Sequence, residues 1–267
     1  MKLNLLPAST GLTWVKLGFQ TFFKQPLALS GLFIMFLVLM SVASLVPYIG
    51  TALALALLPA ATLGLMAASR EVSLGRFPMP TMLFIALRAP RSTQRGLAVL
   101  GVSYALGFLS IMGISALVDG GKFAQLYLTG GTVTTELVNA PDFQHAMLLA
   151  MALYLPLSML FWHAPALVHW YGVPPVKSLF FSFVASVRNL GAWLTYSFAW
   201  VGVFLVISQT VALVGSLLVS TEFALMLITP VVLILGAVFL ASVYFTVRDS
   251  FNASENDTPP SHESDTP

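Results

Sequence analysis

Cysteine is absent from the chain, which excludes disulfides, Cys-bound zinc and thiol catalysis together. Charge is scarce: Asp, Glu, Lys and Arg make up 8% of the 267 residues, against about 25% in soluble domains. So few charges cannot clothe a water-facing surface on a chain that is 58% apolar, and lipid has to be the solvent for most of it. The formal net charge is +2 and the pI about 9.0, without the clustered Lys and Arg that nucleic-acid phosphates require. Neither GxSxG, HExxH nor a Walker A sequence occurs, and no Ser, His and acid fall together as a hydrolase would need. No acid or base stands in the middle of any long apolar segment. Such a charge costs about 2.5–3.5 kcal/mol on insertion scales and marks ion or proton paths. Its absence argues against a proton-coupled pump, while carriers of neutral solutes stay open. No cofactor is expected.

What is present begins with Gln25–Ser69, a stretch whose only ionisable side chain is the phenol of Tyr48. About 20 apolar residues cross a bilayer as a helix, so this stretch predicts a hairpin of two spans, Leu27–Val46 and Thr51–Ser69, turning at Pro47-Tyr48-Ile49-Gly50. Four more spans follow: Leu97–Val118, Ala146–Val168 with Pro156 and Pro165 inside, Ala192–Val219, and Phe223–Val247 with Pro230 inside. The fold class is therefore all-α, a polytopic membrane protein of six transmembrane helices in hairpins. Residues 1–26 are a poor signal peptide, because Lys16 and Lys24 interrupt them and no A-x-A-like site follows. With both termini cytoplasmic, eleven of the 12 Lys and Arg fall inside and only Lys122 outside, as the positive-inside rule expects. A missed or added span would scatter them.

Two or three amphipathic helices are expected at the interface. Leu12–Lys24 sets Leu12, Val15, Phe19, Phe22 and Phe23 opposite Thr13, Lys16, Gln20 and Lys24. Val176–Leu190 sets Leu179, Phe180, Phe183, Val184, Val187 and Leu190 opposite Lys177, Ser178, Ser182, Arg188 and Asn189. Thr81–Leu87 is the third. A basic face opposite aromatics is the pattern of a helix lying on a membrane. The unit of amphipathic helix, span, turn, span then occurs over 12–69 and 176–247, with 77–168 as a candidate degenerate copy. Residues 249–267 read as a disordered, acidic cytoplasmic tail.

Small side chains let helix backbones approach where lipid gives no hydrophobic drive. Ala52, Ala56, Ala60, Gly64 and Ala68 form one four-residue row, read as the packing seam of the first hairpin. Ser208, Ala212 and Ser216 form another, continued by Ser220. Phe123–Leu128 is read as a turn of surface helix in the long outer connection, where Asp119, Glu136 and Asp142 read either as a cation site or as a solvated face.

His163, inside the fourth span, reads as a titrating switch or substrate contact, or else as a residue that bonds a carbonyl freed by proline within an aromatic belt. It lies six residues from His169, about 120° from facing alike on a helix, so the two make no metal pair. Gln209, with Tyr104, Tyr154, Tyr196 and Tyr244, lines a polar path or glues helices together. Arg70, Arg76, Arg88, Arg91 and Arg95, with Lys16, Lys24, Lys177 and Arg188, are candidates for anionic lipid headgroups, each worth about 1 kcal/mol near such a surface, and they fix topology in any case.

At Gly11-Leu12-Thr13-Trp14, Phe22-Phe23-Lys24-Gln25-Pro26-Leu27, Leu57-Leu58-Pro59-Ala60 and Gly75-Arg76-Phe77-Pro78 the chain resembles a family of uncharacterised proteobacterial inner-membrane proteins. More loosely, its unit of amphipathic helix and hairpin is similar to the membrane domains found beside some glycerophosphodiester phosphodiesterases. Neither resemblance implies an activity, and the phosphodiesterase's acidic, metal-binding domain has no counterpart here. The expected function is a non-enzymatic inner-membrane protein that binds lipid or a protein partner, as an envelope organiser or assembly factor, with self-association possible. A permease for a neutral or amphiphilic solute is the rival, and a membrane-embedded lipid enzyme a distant third.

Overall fold

The computed structural model describes residues 2–218 and 220–252. Six of its helical segments are long and apolar enough to cross a membrane, and the architecture is all-α, as composition and periodicity predict. Helix α1 (Thr10–Lys24) leads into α2 (Pro26–Ser44) and α3 (Gly50–Ser73). A short 3-10 helix (Pro80–Phe84) and α4 (Ile85–Arg88) precede α5 (Arg91–Asp119). Two surface helices follow, α6 (Lys122–Thr129) and α7 (Thr135–Asn139). The fourth crossing is two helices, α8 (Pro141–Phe161) and α9 (Ala164–Tyr171). Helix α10 (Pro175–Arg188) then precedes α11 (Leu190–Leu218) and α12 (Thr221–Ser250).

Local chemistry explains the joints. Between α2 and α3, Tyr48 takes φ 66°, and at Gly50 any Cβ would strike the carbonyl of Ser44. Helices α3 and α9 both stop at a left-handed glycine, Gly75 (φ 77°) and Gly172 (φ 64°), with prolines following within a few residues, a common helix stop. The surface helix expected over Phe123–Leu128 is α6. Its start is capped by Asp119, which accepts from the backbone N–H groups of Gly121 (2.8 Å) and Phe123 (2.7 Å). Both carboxylate oxygens are thereby engaged in a cap.

The basic end of α3 is the centre of the molecule: nearly every residue from Ala61 to Ser69 is buried, enclosed by α2, α5, α12 and the 3-10 helix. Around it the short helices at the end that bears the termini follow one rule. The 3-10 helix and α4 pack on α3, in the hairpin before them; α10 packs on α8 and α9, again the preceding hairpin; and α1 packs on α11 and α12, the last hairpin. The first short helix thus closes a ring with the last pair of spans. Two residues at each end of the chain complete the closure, β1 (Lys2–Leu3) pairing antiparallel with β2 (Phe251–Asn252). The chain is therefore in place through Asn252, three residues past the predicted start of the tail, and Phe251 is 2% exposed. The rest of the expected tail lies outside the described residues.

The faces of two amphipathic helices differ from expectation. In α1 the buried stripe is Gly11, Trp14, Val15, Gly18, Thr21 and Phe22, while Leu12 and Phe23 point outward. Gly11 lies against the backbone of Ala192 and Tyr196, and Gly18 against Ser242, so the helix is docked into the bundle instead of resting on it. Helix α10 is turned over. Its serines face protein, with Ser178 and Ser182 at 0% exposure, while Phe180 is 61% exposed. Small polar side chains allow close approach to α8, and the phenylalanines are left to lipid.

Candidate functional site

The break between α8 and α9 organises the most distinctive region. Pro165 has no N–H, and its ring displaces the carbonyl of Phe161 from the helical ladder, so the helix opens at Trp162 and His163. Ser182 of α10 fills the gap. Its hydroxyl donates to the Met159 carbonyl (2.7 Å) and accepts from the His163 backbone N–H (3.0 Å). One side-chain oxygen is thus spliced into the interrupted ladder, which satisfies backbone groups that have no water to turn to. The single proton of Ser182 is committed to Met159, so His163 Nδ1, 3.4 Å away, meets the hydroxyl as a donor. The imidazole is fully buried between the rings of Trp193 (5.6 Å) and Phe251 (5.4 Å). The proline-linked reading of His163 thus meets a different arrangement: Ser182, not the imidazole, bonds a carbonyl at the break, that of Met159, and the imidazole packs behind it.

Trp162 points the other way. Its indole N–H donates to Thr246 of α12 (3.1 Å), whose own hydroxyl donates to the Val243 carbonyl (2.7 Å). Its ring meets Trp193 edge to face at 4.9 Å and Phe239 at 6.1 Å. On either side of it lies a void. The larger, about 590 Å³, runs between α8 and the first half of α11 and is walled by Met159, Trp193, Tyr196, Trp200 and Phe204. Helices α8 and α11 make almost no direct contact, and Leu155, Leu194 and Leu205 on the rims are exposed, so the groove opens sideways. Helix α10 closes its basic end through Ser186. The smaller void, about 150 Å³, lies among α3, α5, α8 and α12 and carries the hydroxyls of Thr62, Tyr104 and Tyr154. Tyr104 and Tyr154 face each other at 3.4 Å. Ser158, Trp162 and Phe239 line both voids and form the wall between them.

The predicted site residues fall as follows. His163 lies behind the break, whereas Gln209 is exposed on the second half of α11, so the two are not brought together. Tyr196 lines the larger groove, and its hydroxyl bonds Ser242 (2.7 Å). The alanine row of α3 does not face one partner. A four-residue repeat winds about 40° per step around a helix, so Ala56 meets Gly101 of α5, Gly64 meets the backbone of Leu83, and Ala68 is fully enclosed. Ala52 and Ala60 are half-buried, as are Ser208 and Ala212, while Ser216 is exposed.

Apart from Lys122, which opens α6 at the other end, the cationic side chains lie at the end of the bundle that bears the termini. Arg76 pairs with Glu71 (2.7 Å), and Arg70 lies over the Trp170 ring (5.8 Å). Lys16, Lys24, Arg88, Arg91, Arg95, Lys177 and Arg188 are exposed, with no carboxylate partner among the described residues. Two features of this site have signals that a reading of the apolar pattern passes over. One is the aromatic row Trp193, Tyr196, Trp200 and Phe204, at helical spacing along the groove wall. The other is the serine row Ser178, Ser182 and Ser186, four residues apart, which is the packing signature of a membrane helix.

No family model matches the chain, and no solved structure matches it. A probable inner membrane protein of Burkholderia thailandensis is 38% identical over 263 residues, covering 97% of this chain and 97% of its own length. A likeness of that extent covers the stretch that holds all six spans, and the chain belongs to the family of this inner membrane protein, as a multi-pass protein of the inner membrane.

Proposed function

We propose that the protein binds phospholipid in the groove between α8 and α11, in the cytoplasmic leaflet, and serves envelope organisation as a non-enzymatic lipid-binding protein. One observation carries this reading: a 590 Å³ groove, walled by aromatics, opens sideways between α8 and the first half of α11. Binding pockets typically run from about 300 to 1,000 Å³, so its size suits an acyl chain. The orientation rests on the positive-inside pattern, with the termini and the unpaired cations on the cytoplasmic face. Arg188 and Lys177, exposed on the helix that closes the groove, suit an anionic headgroup. The looser likeness to membrane domains beside glycerophosphodiester phosphodiesterases adds no activity to this reading.

Tryptophan fluorescence tests it. Trp162, Trp193 and Trp200 line the groove, so phosphatidylglycerol brominated on its chains should quench the reconstituted protein strongly. Leu194→Trp would fill the mouth and make the remaining indoles less accessible, whereas Leu106→Trp, on the exposed face of α5, would not. Equal quenching of both variants by brominated lipid, once corrected for the added tryptophan, would count against a specific groove.

A second reading, a permease for an amphiphilic solute, is favoured by the smaller void behind Trp162, which lies beside Pro59 and reaches toward the centre of the bundle. Uptake by reconstituted vesicles would separate the two, because a lipid-holding protein retains its ligand without net flux.

A further inference from the structure

We infer that Trp162 is the stop that sets how long an acyl chain the groove accepts. This rests on the lipid-binding reading and names a specificity-determining residue for that site. The argument starts from the wall between the voids. Of the three residues shared by both, Ser158 is small, and Phe239 belongs to the continuous helix α12. Trp162 alone sits at a break: its N–H closes the last turn of α8 onto the Ser158 carbonyl (2.9 Å), and the next helix starts only at Ala164. Its ring is half-buried despite its central position, because it borders empty space on both sides.

Beside its edge-to-face contacts with Trp193 and Phe239, the indole is held across the opening by one polar contact, its N–H to Thr246 Oγ1 at 3.1 Å. Thr246 is fully buried, and its hydroxyl proton is committed to the Val243 carbonyl, so toward the indole its oxygen acts as the acceptor. Beyond the ring, the 150 Å³ void offers Leu58, Leu240 and Val243 as apolar lining, with the tyrosine hydroxyls to one side. It has room for a few methylene groups and none for a headgroup. A chain entering from the bilayer therefore ends against the indole, and the space behind it is reached only if the ring moves or is removed. Because lipid tails are already apolar, the gain for a longer chain is packing alone, and discrimination of about twofold to threefold is the expected scale.

The test uses the full-length protein in vesicles that contain brominated phosphatidylglycerol of shorter or longer chain, with quenching of Trp193 and Trp200 as readout. Wild type should prefer the shorter chain or show a clear optimum. Trp162→Ala and Thr246→Val should both shift the preference toward the longer chain, by about twofold to threefold. The second variant keeps the indole and removes only its anchor, so it remains informative if the first fails to fold. Adding Leu58→Phe to Trp162→Ala refills the rear void and should restore the wild-type preference. A length profile unchanged in both single variants, with binding intact, overturns the stop and leaves the groove standing. Loss of all lipid quenching in wild type overturns the groove itself.

Discussion

Gly18 and Gly31 are both helical glycines, and the structure assigns them opposite roles. At Gly18 an added methyl would meet Ser242 and the Val238 carbonyl on α12, while at Gly31 nothing lies within 4 Å. Gly18→Ala should therefore lower the unfolding free energy by about 1–3 kcal/mol through overpacking. Gly31→Ala should be neutral or stabilising by up to about 1 kcal/mol, because glycine in a helix interior carries an entropic cost. Reversible unfolding in mild detergent measures both, and equal effects would refute the docking of α1. Ser182 gives a second contrast at this scale. Ser182→Ala leaves the Met159 carbonyl and the His163 N–H unpaired in an apolar interior, at about 1–3 kcal/mol for each buried group. It should lower the melting temperature far more than Ser216→Ala on the exposed face of α11, and similar melting of the two variants would contradict the splice. No pattern of apolar residues announces that hydroxyl. Its partners lie 19 and 23 positions away, and only the fold supplies them.

Among elements, α10 shows how far an amphipathic pattern can be read. That it is a helix was legible from its periodicity, and that it has two faces was equally plain. Which face meets protein was not, because the solvent around it is lipid. Phenylalanines on such a helix lose nothing by facing outward, whereas serines gain by allowing backbones to meet. Ser178→Leu should accordingly disrupt the packing of α10 on α8 and α9 and reduce the yield of folded protein. Phe180→Ser should leave the fold intact and weaken only the seating of the helix in lipid. Limited proteolysis of the α9–α10 connection in membranes distinguishes them: rapid cleavage of the Phe180 variant, with the Ser178 variant resistant, would invert the assignment. The seam of α3 has a similar lesson. Its small residues were visible in sequence, but their partners were not, since the row winds from α5 at Ala56 to the 3-10 helix at Gly64.

For the whole molecule, the number of spans and the gathering of cations at one end were already written in the residues, because both follow from the cost of placing charge in hydrocarbon. The groove was not, since it exists only where α8 and α11 diverge. The ring in which α1, the 3-10 helix with α4, and α10 each pack on a neighbouring hairpin was equally hidden, because α1 meets α12 across more than 200 residues of chain. Orientation can be tested directly, because the native chain has no cysteine. Single cysteines at Arg88 and Arg188 should react with an impermeant maleimide only in inside-out vesicles, and one at Lys122 only in intact cells.

The most direct measurement is mass spectrometry of the lipids that stay with the protein after extraction and detergent exchange. Wild type should retain about one anionic phospholipid per chain, and Leu194→Trp, which fills the groove, should lose it while remaining folded. Retention of no lipid by wild type, or the same retention by the filled variant, would contradict the lipid-holding groove.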